Sequence, residues 1–183
     1  TKNPEEKPYF LTNQSAGSFN TFKHSFEAGT GKFLNNLLSV SARYSIINSD
    51  GYIDRAFSKL NSYNINALFE KGNTKLRFLT FGGKEKTYQA WNGIDKATYE
   101  SNPKFNYSGA IYDANWENII GFYDNETDNY RQNHYHLLWE QKLGKIWNLE
   151  TTFHLTHGEG YYENYKQDAK FSKYDLPNIV ENG

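Results

Sequence analysis

Apolar residues recur at every second position in three regions of the chain, and this alternation constrains the fold more than any other feature. The regions lie near residues 22–46, 63–78 and 135–155. In each, two alternating runs flank a short connection that contains glycine. A period of two predicts β-strands with one apolar and one polar face, and the close spacing predicts antiparallel hairpins. About six strands are expected in total.

The turns predict which residues lie opposite one another. In the second region, a two-residue type II′ turn at 72–73 would pair Phe69 with Leu76. In the third region, a turn centred near residue 145 would pair Leu137 with Phe153. Both registers match apolar with apolar side chains, so each hairpin would have one apolar face.

The connections alternate between tight and long. Long, polar connections are expected at about 48–61, at about 84–130 and from 158 onward. Tight ones are expected near three glycines, which are Gly31, Gly72 and Gly144. Short turns at one rim and long loops at the other, joined by strands of about ten residues, are typical of outer-membrane β-barrels.

Composition agrees with strands rather than with membrane helices. Aromatic residues make up 17% of the chain and all hydrophobic residues only 37%, and the mean hydropathy is -0.86. No apolar run reaches the roughly 18 residues of a membrane helix. A formal net charge of -1 without a basic stripe argues against a nucleic-acid partner. The chain has no cysteine and no nucleophile-elbow motif, and we expect no enzymatic activity and no cofactor.

These patterns predict an all-β fold, the antiparallel up-and-down wall of a transmembrane β-barrel with long external loops. Residues 1–183 would belong to one barrel domain, with a lead-in at 1–16, strands and loops at 17–174, and a loop or truncated end at 175–183. Because a membrane barrel needs at least about eight strands, the wall must be incomplete or oligomeric. His24 argues against this picture, since its place on the apolar face would be costly unless it lies at a membrane interface.

Five segments, in order along the chain, resemble the TonB-dependent outer-membrane receptors. They are 17–21 (GSFNT), 49–55 (SDGYIDR), 81–93 (FGGKEKTYQAWNG), 123–130 (YDNETDNY) and 157–166 (HGEGYYENYK). The resemblance covers about Gly17 to Tyr174, and the segment that ends at Gly93 is its most specific part.

This resemblance implies a barrel of about 22 strands with an N-terminal plug, in a bacterial outer membrane. The chain would supply early wall strands, would contact outer-membrane lipid, and would help to import a scarce small-molecule ligand. Contact with TonB would occur only through N-terminal parts of the parent protein, upstream of this chain. Metal chelates, haem, cobalamin and oligosaccharides all remain possible ligands. The alternative is a porin or adhesin barrel without a plug.

Two sets of side chains are candidate ligand contacts. His134, His136 and His154 lie on the polar face of the third hairpin, with His136 predicted opposite His154, so they could contact a haem or metal chelate. Polar lining of a barrel interior is the default explanation of these histidines, and no resident metal site is predicted. The second set comprises aromatic residues near the long-loop rim, where rings could stack on a ligand or anchor at the membrane interface: Tyr88, Trp91, Tyr161 and Tyr162.

Overall fold

The structure, a computed structural model, describes residues 3–177 and shows an all-β fold built on one open antiparallel sheet of seven strands. The sheet has the order β1-β2-β3-β4-β5-β8-β9, and β6 and β7 form a separate small hairpin within a loop. The strands are β1 Pro8–Gly17, β2 Thr21–Phe33, β3 Leu38–Ser49, β4 Ser58–Lys71, β5 Thr74–Tyr88, β6 Ala110–Tyr112, β7 Ile119–Phe122, β8 Thr127–Leu143 and β9 Trp147–Tyr162. Within residues 3–177, helical structure is limited to α1, Lys96–Ser101, and a 3-10 turn at Phe171–Tyr174.

The predicted hairpins of the second and third regions are confirmed. Phe69 lies opposite Leu76 across β4 and β5. Leu137 lies opposite Phe153 across β8 and β9. The turn at 72–73 has a positive φ at its first central residue only, +57° at Gly72, as a type II′ turn requires.

The tight turn predicted near Gly31 is wrong. Strand β2 continues through Gly31 to Phe33, and the chain reverses at Leu34, Asn35 and Asn36, which all have positive φ. Gly31 instead lies in an irregular step of the β2–β3 register. A Cβ atom at Gly31 would come within 2.6 Å of the backbone nitrogen of Pro8, so the glycine permits a close backbone approach rather than a turn.

The expected lead-in at 1–16 contains a strand that the sequence analysis did not predict. Strand β1 pairs with β2 along its whole length, from Pro8 opposite Thr30 to Gly17 opposite Thr21. Its alternation is weak, because Thr12 and Gln14 occupy positions on the face where the other strands are mostly apolar. The sheet therefore has seven strands instead of about six.

The sheet strands reach 17 residues in β8, so they are longer than expected and the loops are shorter. The long connections are 50–57, 89–126, which contains α1 and the β6–β7 hairpin, and the segment that follows Tyr162, and the short connection 18–20 lies at the same rim. Tight turns at 34–37, 72–73 and 144–146 occupy the opposite rim, so the predicted asymmetry holds from β2 to β9. The tight turn at 18–20 departs from it, because it lies at the long-loop rim, where the Asp50 nitrogen donates to the Phe19 oxygen. Neither helical segment within residues 3–177 has the length and apolar character needed to cross a bilayer.

The apolar face of the sheet is more exposed than the polar face. A water-soluble sheet shows the reverse, because it buries its apolar face. The apolar face exposes large side chains, including Leu137 at 42% and Phe153 at 60%. The polar face is the more buried one, with Asn66 only 4% and Arg77 only 8% exposed, and it also buries Leu68 and Leu79, which lie opposite Arg77 and Asn66. The Nε atom of Arg77 donates to Oδ1 of Asn66 at 3.0 Å, so burial on this face is accompanied by hydrogen bonding.

The sheet is open rather than a closed barrel. In the described residues, β1 pairs only with β2 and β9 only with β8, which leaves one edge of each strand unpaired. His24 lies on the apolar face, as predicted, in a row with Ile46, Asn61, Lys84 and Arg131. That row is mostly polar and lies on the long-loop side of the mostly apolar rows. The imidazole Nδ1 is hydrogen-bonded to Oε1 of Gln14, although the ring also lies opposite Ile46 and stacks on Phe22 with the ring centroids 6.4 Å apart.

Candidate functional site: a polar-face cavity and hydrogen-bonded loops

The predicted histidine row is brought together by the register of β8 and β9. His136 lies directly opposite His154, and their ring centroids are 6.2 Å apart. Phe81 stacks on His134 at 4.6 Å with the rings nearly parallel. Nδ1 of His134 is 3.0 Å from Oγ1 of Thr156. The row is thus a packed aromatic and polar surface.

Metal ligation by this row is not supported by its geometry. Across residues 3–177, no group of three or more His, Asp or Glu side chains is arranged to hold a metal ion. Contact between the histidines and an incoming ligand stays a prediction.

A cavity of about 410 Å³ lies on the polar face next to His134. This volume is within the roughly 300–1,000 Å³ range of small-molecule pockets. Apolar and aromatic walls alternate with polar groups around it. Its lining comprises Ser45, Ile47, Leu60, Asn61, Ser62, Phe81, Gly82, Gly83, Lys84, Glu85, Tyr130, Gln132 and His134.

This cavity is not among the features predicted from the sequence, although the sequence contains one signal for it. Ile47 and Leu60 interrupt the polar face of β3 and β4, and the structure places them directly opposite each other. Phe81 interrupts the polar face of β5 in the same way, opposite His134. Leu68, Leu79 and Leu138 also interrupt the polar face, nearer the tight turns, whereas Ile47, Leu60 and Phe81 are the apolar exceptions that line the cavity.

The four predicted aromatic residues are divided between different surroundings. Trp91 and Tyr162 are 61% and 63% exposed and form an edge-to-face pair with centroids 5.9 Å apart. Tyr161 is also exposed, at 62%, but it belongs to the apolar face. Tyr88 is only 4% exposed. Ligand stacking by Trp91, Tyr161 and Tyr162 stays a prediction.

Tyr88 joins the sheet to the loops. Its hydroxyl donates to the backbone oxygens of Ser108 at 3.1 Å and Tyr123 at 2.8 Å. The Arg55 guanidinium carbon is 5.8 Å from the centroid of the Tyr88 ring and 3.5 Å from that of Phe122. Tyr88 therefore anchors the 89–126 loop and does not present a free stacking surface.

Asn106 connects two of the long loops. Its side chain is 2% exposed, and Nδ2 donates to the backbone oxygens of Asp54 at 3.1 Å and Gln89 at 2.9 Å. Its Oδ1 accepts from the backbone nitrogen of Ser108 at 3.0 Å. Its own carbonyl accepts from Arg55. One amide side chain thus satisfies backbone groups from both loops.

The segment after β9 is attached through carboxylates. Glu126, 6% exposed, accepts from Nδ2 of Asn164 at 2.7 Å and from the backbone nitrogen of Tyr165 at 2.6 Å. Glu163 accepts from the Tyr123 hydroxyl at 3.1 Å. That hydrogen bond raises the pKa of Tyr123, because loss of the proton would place a phenolate beside a carboxylate. We call this hydrogen-bonded assembly of residues 50–57, 89–126 and 163–167 the loop platform.

The platform also forms a cleft of about 620 Å³ between the β6–β7 hairpin and residues 165–173. Gln167 attaches the two parts, since its side chain accepts from the Tyr112 nitrogen at 2.8 Å and donates to the Tyr112 oxygen at 2.9 Å. The rings of Tyr112 and Trp116 stack 5.8 Å apart at the cleft. Lys166, Lys170 and Lys173 also line it together with Asp168, so the cleft combines aromatic surface with an excess of positive charge.

No family model and no curated protein matches this chain.

Proposed function

We propose that this chain is part of the β-barrel wall of a bacterial outer-membrane TonB-dependent receptor, which binds and imports a scarce small-molecule ligand. The observation that supports this proposal most strongly is the inverted burial of the two faces. Large apolar side chains are exposed on one face while hydrogen-bonded polar side chains are buried on the other. Lipid is the environment in which such a sheet gains free energy from its exposed face.

The dimensions of the apolar face fit a bilayer. On β8 this face runs from the border residue Asn133 to Leu143, roughly ten residue steps or about 34 Å along the strand, and its side chains are apolar at Tyr135, Leu137, Trp139 and Leu143 and polar at Gln141. At the tilt of about 40° usual in such barrels, this length spans about 25 Å, the height of the apolar band of an outer-membrane protein. Tyr44 and Tyr63 border the band on the loop side, and Trp139 and Trp147 lie near its turn side.

The loop platform and the polar-face cavity provide the binding function in this proposal. A ligand would meet the platform first and the cavity on the interior side next, with His134 and Phe81 in its wall. The buried hydrogen bonds of the platform hold the loops in place before a ligand arrives, which lowers the entropic cost of binding. The open sheet edges would pair with further strands of the parent barrel.

Energy dependence of uptake tests the transporter proposal against a porin or adhesin. In cells that express the protein, we expect surface binding of the cargo to persist and its internal accumulation to fall at least about tenfold when an uncoupler collapses the proton gradient. Ferric chelates, haem, cobalamin and an oligosaccharide are assayed in parallel as radiolabelled probes. Accumulation that is indifferent to the uncoupler would indicate a passive pore, and binding without any accumulation would indicate an adhesin.

A further inference from the structure

The strands extend past the apolar band toward the loops, and on the apolar face this extension is basic. Lys59 lies directly opposite Lys86, and Lys84 lies directly opposite Arg131. Like charges that face each other across antiparallel strands repel and destabilise the pair. Two such pairs on adjacent strands make a concentrated positive surface, which we call the basic patch.

Neighbouring groups neutralise little of this charge. Glu159 is the one carboxylate within ion-pair distance of the patch among the described residues, 3.8 Å from Arg131. Over residues 3–177, Lys59, Lys84 and Lys86 form no ion pair. Nζ of Lys86 donates to the neutral Oδ1 of Asn125 at 2.7 Å. Three of the four cations therefore lack an acidic partner in this part of the chain.

Two clefts of about 330 Å³ each open on this surface and share Lys84. Both combine cationic groups with side-chain amides and tyrosine rings, which suits an oxygen-rich anion that carries an apolar part. The first is lined by Tyr44, Ile46, Asn48, Lys59, Leu60, Asn61, Lys84 and Lys86. The second is lined by Lys84, Asn129, Tyr130, Arg131, Glu159 and Tyr161.

The position of the patch relative to the apolar band identifies its ligand. Lys84 is two residues beyond Gly82 and Arg131 two residues beyond Asn133, so both lie about 7 Å along the strand from the edge of the band and on the same face. An acyl chain packed against the band would bring its headgroup to this level. We propose that the basic patch binds phosphate-bearing headgroups of the lipid leaflet on the long-loop side, an inference that rests on the membrane orientation proposed above.

Removal of the lysine charges tests this inference. The full chain is reconstituted in phosphatidylcholine vesicles with a fluorescent phosphatidic acid, and enrichment of the probe around the protein is measured by energy transfer from tryptophan. We expect Lys59→Gln, Lys84→Gln and Lys86→Gln each to weaken enrichment about fivefold, and the triple variant about a hundredfold. The matched control, Lys71→Gln with Lys142→Gln and Lys145→Gln, removes equal charge at the short-turn rim and should leave enrichment unchanged.

Two further measurements, competition by inorganic phosphate and quenching by a brominated lipid, distinguish failure of the headgroup site from failure of the membrane orientation. Displacement of the lipid probe by inorganic phosphate at equal concentration would indicate a site for free anions and overturn the proposal. Equal enrichment in the patch variant and the control variant would also overturn it. If a brominated lipid quenches Trp139 but phosphatidic acid is not enriched, the lipid-facing band stands and the headgroup site does not exist. If the brominated lipid does not quench Trp139, both the membrane orientation and the headgroup site are wrong.

Discussion

Phe153→Arg is expected to destabilise the sheet in a bilayer by about 2–4 kcal/mol, whereas Thr152→Arg, one residue away, should cost well under half of that. Phe153 lies near the middle of the apolar band, opposite Leu137. Thr152 lies on the polar face of the same strand and is also exposed. The same cation is thus added at equal depth, but toward lipid in one variant and toward the polar side in the other.

Urea titration of both variants in phosphatidylcholine vesicles measures this difference as a free energy of unfolding. In water the outcome would differ, because replacement of a side chain that is already 60% exposed usually changes stability by less than about 0.5 kcal/mol. Equal stabilities for the two variants in vesicles would therefore mean that the apolar face does not meet lipid.

Asn106→Ala is expected to release the loop platform while the sheet stays folded. The substitution removes three backbone hydrogen bonds, those of the buried Gln89 and Ser108 and of the half-buried Asp54. Unsatisfied buried groups cost at least about 1 kcal/mol each, so the free energy of loop opening should fall by about 3 kcal/mol. Hydrogen exchange should then accelerate roughly a hundredfold at residues 52–57 and 105–109.

Asn118→Ala is the matched control for this prediction. Asn118 also donates a side-chain hydrogen bond, to Asp113 at 2.7 Å, but it is exposed, so water can replace the lost partner. We expect exchange at residues 52–57 to be unchanged in this variant. Similar protection in both variants would show that Asn106 does not hold the platform, and loss of protection throughout the sheet would show that the platform is not a separate unit.

The sequence predicted the hairpins in which the turn residues and the matching of apolar side chains across the strands specify the same register. Around Gly72 the period of two, the glycine at a positive φ and the match of Phe69 with Leu76 all specify the same register. At Gly31 the rule that glycine marks a tight turn gave the wrong position. The missing side chain of Gly31 lets the backbone of Pro8 come close, and Leu34, Asn35 and Asn36 form the turn. Sequence patterns alone do not distinguish these two uses of glycine.

Features built from several strands or loops were harder to predict. The cavity wall depends on Ile47, Leu60 and Phe81, which are far apart in the chain and converge only through the register. In the loops, Asn106 and Glu126 resemble ordinary solvated polar residues in the sequence, although the structure buries both. The pairing of His136 with His154 was predicted because it follows from the register of a single hairpin.

The orientation of the sheet in a bilayer is the claim that the proposed receptor function and the headgroup site share, and spin-label accessibility tests it most directly. The chain has no cysteine, so single cysteines at Leu137 and Leu155 on the apolar face, and at Thr152 and Thr156 on the polar face, can be labelled without further changes. In vesicles, the first pair should collide mainly with dissolved oxygen and the second mainly with a water-soluble nickel chelate. Equal accessibility of both faces to the nickel chelate, or the reverse pattern, would contradict the account.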